Sequence, residues 1–549
     1  MTRLVLGPLL RHVGTTDATV WVETDGPCDV EVLGHRERTW TIADHHYALL
    51  CINGLAPATA TPYEVRLDGD VVWPEPTSTQ PPIRPQSRIR TQAAAGTLRI
   101  AFGSCRYARS EAVAGDPHFD ADALDCLART IAVAADDQWP QALILLGDQV
   151  YADETSPETQ RRIRGRRDIT TGAGAQVADY EEYTWLYHES WTDPEVRWLL
   201  STIPTSMIFD DHDVRDDWNT SHSWRVDMQA QSWWPERIVG ALSSYWVYQH
   251  LGNLSPDELA EDALYQRVRN CQGDAEALVR DFAVEADREA DGAKGARWSF
   301  RRDFGTVRLI VIDSRCGRIL ADGHRKMIGA AEFEWIEAQL EGDYDHALIG
   351  TSLPWLLPRA LHDVESWNEE LCDGRRGTRI AQWSEKLRRA ADLEHWASFR
   401  ASFDRLAAMI RDVGNGVHGA GGGQAPATIC VLSGDVHHAY VARASYVDGT
   451  DSAVFQLTCS PFHNHVPAPM KLTFRLCWSR VAERSTRAIL GLLAKVPPMI
   501  LEWSREAGPY FGDELMTLVI DGRRADLVLQ KAGPVSDPQL HEITRLTLA

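Results

Sequence analysis

The sequence predicts an α/β protein: a layered β-sandwich domain with flanking helices, preceded by a small all-β domain. Three observations carry this expectation. Short, mainly apolar runs such as Ala142–Leu146, Thr205–Phe209 and Thr428–Leu432 have the length of strands buried on both faces. Longer helix-period segments separate them, whereas the first ninety or so positions alternate apolar and polar residues, the period of half-buried strands. The 549 residues also exceed what one core usually serves.

Residues 1–95 form the expected first domain. Ala18–Thr24, Asp29–Leu33 and Tyr63–Leu67 alternate, and Asp68-Gly69-Asp70 is a hairpin signal before Val71–Trp73. The turn Gly54–Tyr63 resembles that before a late strand of fibronectin-like modules, so an immunoglobulin/fibronectin-like sandwich is expected, serving as a packing module. A connector with Pro74, Pro76, Pro81, Pro82 and Pro85 follows. The second domain, 96–549, adds strands at Arg99–Phe102, Val307–Ile312 and Ala347–Ile349 and helices over Asp120–Ala135, Glu332–Leu340 and Glu394–Arg411. Glycine-rich Gly414–Pro426 and polar Glu285–Gly295 read as mobile stretches, and no internal repeat is found.

The formal charge of −22 argues against nucleic-acid and anionic-membrane partners, which need a positive surface. Ten scattered cysteines without a Cys-x-x-Cys pair fit free thiols in a reducing compartment. The N-terminal apolar run is too short for a signal peptide, and no segment has the length of a membrane span. A cytoplasmic location is the simplest expectation; oligomeric state is not legible.

Chemistry concentrates where the buried strands end. Ala142–Leu146 runs into Gly147-Asp148-Gln149-Val150-Tyr151, Thr205–Phe209 into Asp210-Asp211-His212-Asp213, and Thr428–Leu432 into Gly434-Asp435-Val436-His437-His438. Oxygen and nitrogen donors at three strand ends predict one polar site at the carboxyl edge of a sheet, as in a metal-dependent hydrolase. Asp148 has two oxygens with which to bridge a pair of metals.

These motifs, in this order, resemble the Gly-Asp-x-x-Tyr, Gly-Asn-His-Asp/Glu and Gly-His-x-His signatures of purple acid phosphatases and related two-metal phosphoesterases. Asp replaces Asn in the second and the first His in the third. With Phe102-Gly103-Ser104-Cys105-Arg106, those replacements resemble the alkaline phosphatase D-type metallophosphatases over most of the chain. The resemblance implies hydrolysis of phosphate esters by a metal-bound hydroxide. Cys105, Asp148, Tyr151 and His437 would hold ferric iron. Asp148, Asp211 and Asp435, an all-oxygen set, would hold calcium, magnesium or manganese. His212 would stabilise charge or protonate the leaving group, and Arg106 would grip phosphate.

Other residues invite weaker readings. Asp210, Asp213 and Asp216 read as capping or solvated carboxylates, Asp153 and Asp217 as candidate supports of the second metal, and His438 as structural. The basic run Arg161–Arg167 reads as an exposed face or, more sharply, as a lid. Trp218 is a candidate pocket wall and Cys459–Asn464 a candidate rim. Thr351–Trp355 lacks the histidine that phosphoesterases often carry after that strand, so a water or another group is expected to fill that position. A diesterase of lipids or nucleotides is the nearest rival function. A binding protein without turnover is the second, and the joint presence of so many ligand types disfavours it.

Overall fold

The structure, a computed structural model, describes residues 2–75, 84–108, 119–291, 296–321, 323–374, 376–417, 423–493 and 499–549. The chain is all-β over residues 1–103 and mixed α/β thereafter. Two four-stranded antiparallel sheets form the N-terminal sandwich. One orders as Leu4–Val13, Asp17–Thr24, His45–Asn53, Trp40–Ile42; the other as His35–Arg38, Asp29–Val32, Val65–Leu67, Asp70–Trp73. The period of two explains both its core and its partner face. Val20, Val22, Ala48 and Leu50 point between the sheets to meet Val30, Val32 and Leu67. Trp21, Tyr47 and Leu49, on the opposite face, join the core of the second part of the chain. The first sheet is therefore buried on both faces.

The second part is a sandwich of two larger sheets. The six-stranded sheet orders as Thr205–Ile208, Ala142–Leu146, Leu98–Gly103, Glu514–Asp521, Arg524–Ala532, Leu540–Thr547. The seven-stranded sheet orders as Phe300–Phe304, Val307–Ile312, His346–Thr351, Thr428–Ser433, Ala453–Thr458, Ala439–Tyr446, Leu501–Tyr510. Leu309, Val311, Leu348 and Leu432 face the six-stranded sheet's Phe102, Ile144 and Leu518 in one core. Their neighbours Ile310, Ile312, Ile349 and Val431 point the other way, onto Phe333 and Ile336 of helix Ala330–Gln339 and Phe403 and Ile410 of helix Arg400–Gly414. The central strands of both sheets pair in parallel and end on the same edge, where the ligand-bearing turns sit.

Most elements lie where the pattern placed them, and the departures have local causes. The helix expected over Asp120–Ala135 runs Ala123–Val133, because Asp122 caps it by accepting from the Leu124 amide at 2.8 Å. The helix expected from Glu394 begins at Arg400: the carboxylate and imidazole of Glu394 and His395 are held by distant partners, and a short 3₁₀ turn, Trp396–Ser398, intervenes. Glu285–Asp287 end the helix Glu276–Asp287, which a 3₁₀ turn continues to Asp291, so this part of the expected mobile stretch is ordered; 292–295 lie outside the described residues, as do 418–422 of the glycine-rich stretch and Pro76, Pro81 and Pro82 of the connector. The ten cysteines are free. No helix among the described residues is long and apolar enough to cross a membrane.

Candidate metal centre

Four turns build the site, and three of them leave their strands through residues with an unusual backbone. Cys105 (φ 58°), Asp148 (φ 52°), Asp435 (φ 66°) and His437 (φ 49°) all lie in the left-handed region, which costs a non-glycine residue energy and clusters at functional sites. Hydrogen bonds between turns fix this geometry. The Cys105 amide donates to the Gly147 carbonyl at 3.0 Å and the Arg106 amide to the Asp148 carbonyl at 3.0 Å. The Asp435 amide donates to Ser104 Oγ at 3.1 Å, and the His212 amide to Asp148 Oδ1 at 3.2 Å. Asp213, expected to cap or be solvated, is instead buried and ties two turns together by accepting from the Asp148 and Asp210 amides, each at 2.9 Å.

Donor atoms of Cys105, Asp148 and His437 lie within 4.8 Å of one another, and so do those of Asp148, Asp211 and His212 and those of Asp210, Asp211 and Asp435. Tyr151 borders the same group. Its ring centroid is 4.8 Å from that of His212, and its hydroxyl accepts from Asn464 Nδ2 at 2.8 Å, which places the expected rim segment against it. The second strand end contributes both of its leading aspartates, not Asp211 alone.

The electrostatics of this cluster ask for cations. Burial and mutual repulsion raise the pKa values of Asp148 and Asp210 well above the carboxylate range and raise that of Asp211. Burial, with the nearby Asp148 charge, likewise pushes the Cys105 thiol up. Buried Asp210 Oδ2 has no hydrogen-bond partner. Burial and the neighbouring His212 charge lower His437 to about 4, so its imidazole is neutral and ready to ligate. Thiol, phenol, imidazole and several carboxylates in one buried group thus fit two metal ions.

Two groups that the sequence reading missed complete the site. Arg315, fully buried, forms ion pairs with Asp210 and Glu394 and reaches Asp211 and Asp435 at 3.2 Å each. It sits in Asp313-Ser314-Arg315, directly after the strand Val307–Ile312, so a further strand end carried the signal. His395 holds Asp435 Oδ2 through Nε2 at 3.1 Å and Glu365 Oε1 through Nδ1 at 2.8 Å. Its neighbour Trp396 donates to Thr351 at 3.3 Å, so this imidazole approaches the strand end that lacks a histidine of its own. No local pattern announces it.

Several expectations are corrected. Arg106 does not face the cluster: its buried guanidinium pairs with Asp122 at 2.7 Å and donates to the Ser190 carbonyl at 2.7 Å, which withdraws it from substrate. Asp153 bonds His212 Nδ1 at 2.9 Å and is thereby a partner of the imidazole. Asp217 meets Asp211 through its backbone amide at 3.0 Å. Trp218 is fully buried edge-on to Phe209, a core residue and no pocket wall. His438 is buried with Nδ1 donating to the Val436 carbonyl at 2.7 Å. The basic run is no free lid: it lies in helix Pro157–Arg166, with Arg166 paired to Asp179, Arg167 to Glu182 and Arg162 over the Trp185 ring.

A family model described as PhoD-like phosphatase matches residues 128–489, and one described as a domain of unknown function, DUF7800, matches residues 1–85. A solved structure of PhoD is similar with a TM-score of 0.55 and 12% identity, covering 99% of this chain and 90% of that one. Purple acid phosphatase PPD1 from yellow lupin (Lupinus luteus) seeds has a TM-score of 0.49 and 11% identity, covering 98% and 73%. No curated protein matches the sequence.

Proposed function

The chain belongs to the PhoD-like phosphatase family and is thus a metal-dependent phosphoesterase; from that premise we propose that it hydrolyses phosphate esters at a two-metal centre. Cys105, Asp148, Tyr151 and His437 would hold ferric iron, and Asp148, Asp211 and Asp435 would hold calcium or another hard divalent ion, with Asp210 as a further donor. The observation that carries this reading is the convergence of Cys105, Asp148 and His437 donors within 4.8 Å, beside buried carboxylates that outnumber their fixed cations. When bound, the metals supply Lewis acidity and ionise a water at neutral pH.

The chain's own groups do the remaining work. Burial opposes a charged His212, but Asp153, 2.9 Å from Nδ1, and the Asp211 and Asp148 charges outweigh it and raise its pKa well above the usual histidine range. With Asp153 on Nδ1, a proton carried at Nε2 points away from that carboxylate, where it can reach a leaving-group oxygen. Arg315 fixes the Asp211 and Asp435 carboxylates, and His395 with Glu365 holds the second oxygen of Asp435. The turns that bear Asp211 and Asp435 are thus locked before substrate arrives.

Elemental analysis of untreated protein, run beside paired monoester and diester chromogenic substrates, tests the proposal. One iron and one hard divalent ion per chain, with hydrolysis, are expected. Asp148→Asn should abolish turnover and lower both metals, since a neutral amide bridges poorly. Normal metal content and turnover in that variant would remove the two-metal centre.

A further inference from the structure

We propose that the helices Ala468–Cys477 and Arg480–Leu493 form a surface that docks the protein on an anionic lipid membrane, beside the metal centre. Sixteen large apolar side chains are exposed among the described residues. Five of them, Met470, Leu472, Leu476, Val481 and Ile489, fall within these two helices, and they are 44–75% exposed. Leu472 and Leu476 are four apart, hence on one flank of their helix. The first helix buries none of its residues. Scattered apolar side chains need no explanation, but a cluster does.

Charge decides what covers it. Over 468–493 the basic residues Lys471, Arg475, Arg480, Arg484 and Arg487 outnumber the single acid, Glu483, five to one, in a chain of net charge −22. The overall charge disfavours adsorption to an anionic surface; this segment reverses the sign locally. Aliphatic side chains interleaved with arginines on helices are the pattern of interfacial membrane elements, which bury the apolar stripe and hold anionic headgroups with the cations. A protein partner would instead be expected to find an exposed aromatic anchor. Here the aromatics are turned inward, Phe474 stacking on His438 at 4.3 Å and Trp478 against Tyr440 at 4.8 Å. The second helix is anchored from behind by Leu490, which packs with Trp367 and Leu371, and by Arg487, 2.8 Å from Asp363.

The surface adjoins the site at two points. Phe474 stacks on the residue after His437, and Asn464, four positions before the first helix, bonds Tyr151. Docking would therefore bring phosphoesters carried on lipid headgroups to the metal centre. That consequence rests on the phosphoesterase reading, whereas the docking does not.

Co-sedimentation of the full-length protein with vesicles tests it, using phosphatidylcholine alone and phosphatidylcholine mixed with phosphatidylglycerol. Binding to the mixed vesicles only, weakened by salt, is expected. Leu472→Ser with Leu476→Ser, and separately Arg475→Glu with Arg484→Glu, should each cut partitioning at least about 10-fold. Far-ultraviolet circular dichroism and hydrolysis of a small water-soluble phosphoester should stay unchanged. Absence of binding to the mixed vesicles, or binding indifferent to both double variants, overturns the proposal. So does a wild-type dimer in analytical ultracentrifugation that both variants dissolve, since the face would then be covered by a second copy. Intact docking without hydrolysis of any phosphoester would leave the surface standing and count against the phosphoesterase reading instead.

Discussion

His212 owes its proposed role to a residue 59 positions away, Asp153, whose carboxylate sits 2.9 Å from Nδ1, orients the ring and favours its charged form. His212→Ala is expected to retain both metals yet lower kcat about 10²–10⁴-fold, the range for a positioned acid. The loss should shrink as the leaving group becomes more acidic, and equal losses across a graded series of leaving groups would assign His212 to charge stabilisation instead. His395 makes a second test at this scale. Because its Nε2 holds Asp435 and its Nδ1 is held by Glu365, His395→Ala should weaken the second metal about 10–100-fold and leave iron in place. Metal titration followed by elemental analysis reads this directly, and loss of iron alone would reverse the assignment. His212 was visible in the sequence because it sits between two aspartates at a strand end. His395 was not, because a lone histidine beside a tryptophan is ordinary in a core.

The turns that follow the strands behave as single units. Gly434 enters one of them with its α-carbon against the Ser104 side chain, so that an added Cβ would occupy the space of Ser104 itself and lie 3.4 Å from the Leu146 carbonyl. Gly147 combines φ 113° with Asp210 Cβ only 2.5 Å from where its own Cβ would stand. Each glycine thus permits two ligand turns to touch. Gly434→Ala should destabilise the fold by about 1–3 kcal/mol through overpacking and displace Ser104, whose hydroxyl accepts from the Asp435 amide. Urea unfolding with metal analysis checks both parts; an unchanged midpoint and metal content would show that the turn has slack. The strands were legible because five apolar residues between a turn and a glycine have few other uses. The late start of the helix Arg400–Gly414 was not, because its preceding residues are drawn to Arg315 and Asp435, over distances that periodicity does not report.

At the scale of the whole molecule, polar contacts through an apolar interface bind the N-terminal sandwich to the catalytic part. Buried Arg11 donates to the carbonyls of Thr205, Tyr248 and Gln249 at 2.9, 2.8 and 2.7 Å, the first at the start of the strand that ends in Asp210. Arg11→Met should cost about 2–5 kcal/mol, since it strands buried carbonyls, and a urea midpoint within error of wild type would refute that. Nearby, buried Glu23 accepts from His45 at 3.0 Å and His188 at 2.9 Å, while His45 also meets Glu181 at 2.8 Å. Burial pulls the His45 pKa down, but its bonds to Glu181 and Glu23 prevail and lift it to about 9 from the ordinary 6.5. The bond to His45, aided by one from Trp185, lowers Glu181 to about 2 from 4.5. A raised histidine stabilises the fold fully below 6.5 and loses that contribution as pH rises through 9. A lowered glutamate contributes above 4.5 and loses it as pH falls towards 2. The interface should therefore be firmest between these limits, and His45→Gln should flatten the alkaline limb of a Tm-against-pH curve. An alkaline limb identical in the variant would remove His45 as its source.

The sequence by itself determined which atoms could form the site. Cys105, Asp148, Tyr151, Asp211, His212, Asp435 and His437 all stand within a few bonds of the strand ends that carry them, so strand pattern and ligand type could be read together. It likewise marked the N-terminal sandwich by its period of two and the buried strands of the second part by their short apolar runs. What only the tertiary structure decided is which charges face one another. Arg106, beside a ligand in sequence, is turned away to Asp122, while Arg315, His395 and Glu365 arrive from segments far along the chain from Asp148 to hold its partners. It also decided that the outer face of the N-terminal sheet is buried and that a basic, apolar helical pair is left uncovered. Periodicity and spacing record what a residue does to its own strand or helix. The pairing of buried charges depends on which elements come to share one low-dielectric space, and that is fixed only when the sheets close on each other.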